Sequence, residues 1–257
     1  MADIHPLAVV SPEARLGDRV VIGPFCCVGP DVTLGAGTRL ISHVVVDGCT
    51  QVGSGCTFFP FASVGMQTQD LKFKGGRPGT IIGDNTTLRE SVTVHAATAD
   101  GDFTRVGSNC HIMAYSHIAH DCVVGDQVII ANAGTLAGHV IVEDRVLVGG
   151  LSGIHQFVRL GRQCIIGGCS KITQDVPPYM MVDGNPPRVP GVNLLGLKRA
   201  GLSEETQQAL KQAHRLLYRS ELGTRAALDR IEQEVKTSPE LQHLLAFVRA
   251  SERGIVK

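Results

Sequence analysis

Tryptophan is absent and aromatic residues make up only 4% of the 257-residue chain. A core knitted together by large flat side chains is therefore excluded, and the 30 glycines suggest narrow, uniform layers instead. Net charge is absent too: 24 Lys and Arg balance 24 Asp and Glu, so no global field favours nucleic acid or a membrane surface. No apolar run is long enough to span a bilayer. The first residues, MADIHPLAVV, lack the basic and apolar regions of a signal peptide. None of the eight cysteines forms a CxxC pair, and without a secretion signal the expected compartment is the reducing cytoplasm.

What is present is a rhythm of six. Stepping by six from Ile4 lands on Val10, Leu16, Ile22, Val28, Leu34, Leu40, Val46, Val52, Phe58 and Val64. The rhythm resumes at Ile82, Leu88 and Val94, then runs from Val106 through Ile112, Ile118, Val124, Ile130 and Leu136 to Ile172. Four residues after each aliphatic position the side chain is small or valine, as at Ala62, Thr86, Ser116 and Val128. This period fits neither a helix nor an isolated strand. It fits short strands that turn a corner every six residues, a parallel β-helix in which three lines make one coil. Residues eighteen apart then stack, and each coil buries its apolar track against its neighbours. Cys26, Cys56, Cys110, Cys122 and Cys164 fall on the small inward position and read as buried hydrophobes.

Two stretches, about residues 66–80 and 96–105, lose the rhythm and gain Gly, Asp, Lys and Arg, so they read as loops projecting from the solenoid. After Asp175 the stretch VPPYMMVDGNPPRVPGVN is expected to end the ladder, because proline lacks an N–H. Helices should follow, capped at Ser203, Thr224 and Ser238-Pro239. The expected organisation is mainly β, with a β-helix over 1–190 and a small helical domain over 191–257.

Stacking by eighteen places His120, Gly138 and Gln156 in one column, with His139 and His155 to either side and His117 three residues before. With coils about 4.8 Å apart, three imidazoles would line a patch roughly 10 Å long. All lie off the inward track. Two chemistries fit such a band: zinc binding by neutral imidazoles, and general-base catalysis by one of them. His111 falls outside it and reads as structural.

The aliphatic-Gly hexapeptides resemble the left-handed β-helix of hexapeptide-repeat acyltransferases, and the hand comes from that resemblance alone. QDLKFKG, IAHDC, GHV, IHQF, GGCS, DVPPY and GVN-LLGLKR together resemble the UDP-N-acetylglucosamine 3-O-acyltransferases of lipid A biosynthesis, over essentially the whole chain. The resemblance implies a homotrimer with sites between neighbouring β-helices. It implies transfer of an (R)-3-hydroxyacyl group from acyl carrier protein to the sugar 3-hydroxyl, with no metal or other cofactor. His120 would be the general base, Asp121 its orienting carboxylate, and the Gly138 N–H an oxyanion donor, glycine permitting close approach and unusual φ.

In the same resemblance Gln69, Asp70, Lys72, His95, His117, His139, His155 and Gln156 match residues near the sugar and the reacting ends. Asn193 and Arg199 match the part that holds the nucleotide. Leu195 stands where an acidic residue is expected and Ala200 where a second arginine is common, so that contact should be built differently. Gly168 matches the residue that limits acyl-chain length, and its missing side chain implies a longer group. Arg159, Arg162, Lys171, Arg188, Lys198 and Arg215 are candidates for landing an acidic carrier protein. The rivals are a related N-acyltransferase, a trimeric zinc hydro-lyase of the carbonic anhydrase kind, and a non-enzymatic solenoid.

Overall fold

The computed structural model describes residues 1–257. Twenty-eight strands, most only two residues long, stack into three sheets of eleven, nine and eight strands. Successive strands go to successive sheets, so the chain coils round a three-sided prism. His111–Ile112 lies in the first sheet, His117–Ile118 in the second and Val123–Val124 in the third. Away from the two irregular stretches and the last two strands, each strand pairs in parallel with the one eighteen residues on, as His117 with Thr135 and Thr135 with Gly153. This is the hexapeptide β-helix expected from the repeat, with the left hand that the resemblance implied.

Strand alternation explains the burial. Ile112, Ile118, Val124 and Ile130 are fully or almost fully buried, and so are Cys110, Ser116, Cys122 and Val128 four residues after each line opens. Each large aliphatic side chain taken inward contributes about 1.5–3 kcal/mol relative to leaving it in water. All five cysteines assigned to the inward track are buried. At each corner one residue takes a left-handed backbone: Tyr115 (φ 62°), Asp121 (φ 60°) and Gln127 (φ 57°) on three successive corners. That conformation costs roughly 1–2 kcal/mol for a side chain bearing Cβ. It is held by bonds to the coil before, such as Tyr115 N–H to Glu90 O at 2.9 Å and Gln127 N–H to Ser108 O at 2.9 Å.

Both irregular stretches leave from the same edge, the second corner, between the second and third sheets. They are shorter than expected. Gly79–Ile82 and Phe103–Val106 are full ladder strands paired with each other, and Gly79–Ile82 also pairs with Cys49–Val52. The projecting loops are therefore 67–78 and 96–102.

The proline-rich stretch does continue the ladder, contrary to expectation. Met180–Gly184 adds to the first sheet beside Ile165–Ile166, and Pro187–Val192 returns antiparallel as the outermost strand. The prolines avoid the missing donor by position: Pro177 and Pro178 precede the strand, Pro186 sits in the turn, and Pro187 and Pro190 lie on the edge.

Four helices follow: α1 (Leu194–Arg199), α2 (Glu204–Tyr218), α3 (Thr224–Glu234) and α4 (Pro239–Arg249). Ser203 and Ser238 cap α2 and α4 through their side chains. Thr224 is the first helical residue of α3 rather than its cap; Gly223 holds that place, with no side-chain bond. The helices are fastened to the last coils. His243 on α4 meets Glu143 at 2.7 Å, and the Arg159 guanidinium lies 4.4 Å over the Phe247 ring. Buried Asp175 accepts from Arg159 N–H and from Ser251 Oγ, both at 2.8 Å.

Candidate functional site

On the second corner, Ile118 turns inward and its neighbours His117 and His120 turn out, because the strand alternates and then breaks at Asp121. The Asp121 backbone is pinned by its N–H donating to Thr104 Oγ1 at 2.8 Å. Its carboxylate meets His120 Nδ1 at 2.7 Å and accepts from Thr98 N–H at 3.1 Å, with His139 Nε2 3.6 Å away. Burial works to raise the Asp121 pKa, but the bonds from His120 and Thr98 outweigh it and hold the carboxyl below its ordinary range. With Asp121 ionised, the His120 hydrogen sits on Nδ1. Nε2 is left with a lone pair.

That lone pair lies against Gly138. A Cβ on Gly138 would stand 2.4 Å from His120 Cε1 and 2.6 Å from Nε2. The residue is glycine because the imidazole occupies the space of a side chain. Its backbone does not enter the left-handed region, so the expectation of an unusual φ fails. The Gly138 N–H has no acceptor within the chain, a property shared by His120 and Gln156 in the same column.

The other histidines crowd round. His139 stands edge-on to His120, ring centres 5.2 Å apart, and stacks on Phe157 at 4.6 Å. His117 bonds Thr93 Oγ1 at 2.7 Å and meets the His95 ring edge-on at 4.9 Å. Burial, helped by His95 and His120, pushes the His117 pKa down to about 4. Burial and His120 likewise lower His95, which is buried with Nδ1 unpartnered. At neutral pH both are uncharged. His155 and Gln156 lie exposed one coil further on, where the Gln156 carbonyl accepts from Arg253 at 2.6 Å.

In the 67–78 loop Gln69 and Lys72 are exposed, while the Asp70 carboxylate accepts from the Lys72 N–H at 2.9 Å. A hollow of about 310 Å³ beside the corner is lined by Asp121, His139, Phe103 and Arg105. The sequence did not single out Thr98, Phe157 or Arg253. Phe157 was within reach, since it stands eighteen residues after His139.

Three expected residues do not join this corner within one chain. Arg199 lies on the third corner, with Arg145, Gln127 and Gln163 round a hollow of about 430 Å³. Asn193 is there too, but its side chain is committed: it donates to Gln163 O at 2.8 Å and caps α1 by accepting from Gly196 N–H at 3.0 Å. Leu195 is 60% exposed and Ala200 ends α1. Gly168 lies on the first corner, where a Cβ would meet only Gly150 O, at 3.4 Å. Of the basic candidates, Arg159 and Arg162 are engaged with Phe247 and Asp144, whereas Lys171, Arg188, Lys198 and Arg215 are exposed.

A three-sided prism of hexapeptide coils with an imidazole–carboxylate pair at one corner defines a hexapeptide transferase, and residues 103–137 match the family described as bacterial transferase hexapeptide (six repeats). Residues 175–256 match the family described as Udp N-acetylglucosamine O-acyltransferase, domain 2. The acyl-[acyl-carrier-protein]–UDP-N-acetylglucosamine O-acyltransferase of Thermodesulfovibrio yellowstonii is 51% identical over the full length of both chains. LpxA from Acinetobacter baumannii is 46% identical, covers 99% of each chain and superposes with a TM-score of 0.95. LpxA from Bacteroides fragilis, a UDP-N-acetylglucosamine acyltransferase, is 38% identical, with 99% and 100% coverage and a TM-score of 0.97. The chain belongs to the UDP-N-acetylglucosamine O-acyltransferase family.

Proposed function

We propose that this enzyme moves an (R)-3-hydroxyacyl group from acyl carrier protein to the 3-hydroxyl of UDP-N-acetylglucosamine, the first step of lipid A biosynthesis. The observation that carries the mechanism is the Asp121–His120 pair lying on Gly138. The sugar hydroxyl gives its proton to His120 Nε2 as its oxygen bonds to the thioester carbonyl carbon. The carbonyl electrons move to oxygen, where the Gly138 N–H donates. The intermediate collapses, the carbon–sulfur bond breaks, and the leaving thiol takes the proton back from His120. An ester and a free thiol result, and no group on the enzyme is consumed. Asp121 holds the tautomer and offsets the imidazolium charge. Neutral His117 and His95 provide hydrogen-bonding groups near the sugar without adding charge, His139 adds a ring beside them, and Asp70 and Lys72 approach it from the loop.

The functional chain is a homotrimer in this reading. Its base, its chain-length residue Gly168 and its nucleotide residue Arg199 lie on three different corners, so a complete site draws on two chains. One corner also carries an exposed apolar ridge, with Leu7, Phe25, Phe61, Tyr115 and Leu151 each at least half exposed. No helix is long and apolar enough to cross a membrane, and the enzyme works in the cytoplasm on a soluble carrier that docks on exposed Lys171, Arg188, Lys198 and Arg215.

The test is a transfer assay with UDP-N-acetylglucosamine and hydroxyacyl carrier protein. General-base catalysis supplies roughly 10²–10⁴-fold, so His120→Ala should lose at least about a hundredfold in kcat; undiminished activity would remove His120 as base. A metal reading has one supporting observation, ligand atoms of His120, Asp121 and His139 within 4.8 Å of one another. Stoichiometric zinc in the purified protein, with transfer absent, would turn the assignment to hydration chemistry.

A further inference from the structure

Thr98 lies in the 96–102 loop, twenty-two residues before His120, and has no counterpart in the repeat. Its backbone N–H donates to Asp121 Oδ1 at 3.1 Å, while its hydroxyl oxygen stands 3.1 Å from His120 Nδ1. The same hydroxyl is 3.2 Å from Thr68 Oγ1 in the other loop. Thr68 is 5% exposed, and its oxygen accepts from the Asp70 N–H at 3.0 Å. The Asp70 carboxylate in turn accepts from the Lys72 N–H. An unbroken hydrogen-bonded path thus joins the exposed part of one inserted loop to the imidazole, through a single side chain of the other loop.

Asp121 holds the hydrogen of His120 on Nδ1, so Nδ1 is a donor towards Thr98 as well. The Thr98 oxygen lies within reach of that hydrogen, and it shares a hydrogen bond with the Thr68 hydroxyl 3.2 Å away. Thr68 in turn accepts from the Asp70 N–H. The imidazole is held at one nitrogen by two partners on different elements, and the position of one of them depends on the 67–78 loop.

We infer that Thr98 is a positioning residue through which the loop bearing Asp70 and Lys72 sets the orientation of the catalytic imidazole. When the sugar nucleotide draws on that loop, the strain passes to Thr98 and hence to Nδ1 of His120. The inference rests on His120 being the base.

The experiment compares Thr98→Val, Thr98→Ser, Thr68→Val and the Thr68→Val/Thr98→Val double variant in the full-length enzyme, with saturation curves in UDP-N-acetylglucosamine. Valine keeps the branched shape and the N–H to Asp121 but removes the hydroxyl, whose net worth is that of one hydrogen bond, or about tenfold in rate. Thr98→Val should lower kcat about tenfold with KM changed less than about twofold, and Thr98→Ser should restore most of that loss. The double variant should be no slower than Thr98→Val alone, because both substitutions cut one path. A Thr98→Val enzyme at parental kcat overturns the inference, as does a Thr98→Ser enzyme no better than Thr98→Val, or losses that multiply in the double variant. Thermal melts that match the parent tie the losses to the site. His120→Ala, run alongside, separates the two readings: if it stays active the base assignment fails, whereas a dead His120→Ala beside a fully active Thr98→Val removes Thr98 alone.

Discussion

Replacing Gly138 by alanine adds one carbon where the structure leaves no room. That carbon would sit 2.4 Å from His120 Cε1, while ordinary contact begins at 3.4 Å, so the ring has to yield by about 1 Å. It cannot yield freely. Nδ1 is bonded to Asp121 at 2.7 Å, and the His139 ring stands edge-on at 5.2 Å. The backbone accepts alanine, since Gly138 is not left-handed, and the N–H remains available for the proposed oxyanion contact. A 1 Å misplacement of a catalytic group costs on the order of a hundredfold. Gly138→Ala should therefore lose about that factor in kcat while its melting temperature stays within a few degrees of the parent. Gly153→Ala, on the neighbouring strand with nothing within 4 Å of the added carbon, is the control. Because the damage passes through the imidazole, Gly138→Ala added to His120→Ala should cost almost nothing more. Activity of Gly138→Ala within threefold of the parent would refute the reasoning, and so would a fully additive double variant.

The depressed pKa of His117, about 4 against an ordinary 6.5, makes stability depend on pH. Between those values the unfolded chain binds the proton that the folded chain refuses, so stability rises with pH across the window and is lost on acidification, by up to about 3 kcal/mol. Urea melts at pH 5 and 7.5 should show this slope shrinking in His117→Gln; an unchanged slope would refute it. Burial pushes the thiols of Cys110 and Cys122 up to about 11 and about 12. A thiol reagent should leave all five inward cysteines unmodified in the native protein and label all eight in denaturant; more than three native thiols would contradict the packing. The open first corner at Gly168 predicts faster transfer of longer hydroxyacyl donors, read from rates over a chain-length series, with Gly168→Leu shifting preference to shorter donors; a parental preference for the shortest donor would overturn it.

The coil was legible because every line repeats the same demand: an aliphatic residue, then a small one four places on. That demand sorted Cys122 from Cys169 and stacked His120 over Gly138 before any coordinates. The rule fails where the period is interrupted. Thr98 reaches His120 only because two loops fold back on one corner, and no spacing encodes that contact. Helix α1 escaped because six residues around a glycine show no face. The proline-rich strand misled because residue type was weighed without position: a proline on an outer edge gives up no pairing. Asn193 shows a different limit. Sequence offered it as a polar contact, but Gln163 and Gly196 already use both ends of its amide.

The two loops also say how such a prism can grow. Ser63 pairs with Thr93 and Thr93 with His117, separations of thirty and twenty-four where an uninterrupted coil has eighteen. The excesses, twelve and six, are whole multiples of the line. Extra chain is therefore admitted in quanta: a full line bulges out at the corner and the next strand resumes in phase. One surplus residue would instead turn each following side chain to the opposite face of its strand, exchanging core for solvent through all the coils beyond. The edge that carries His120 and Asp121 is thus where this scaffold can change length without losing count.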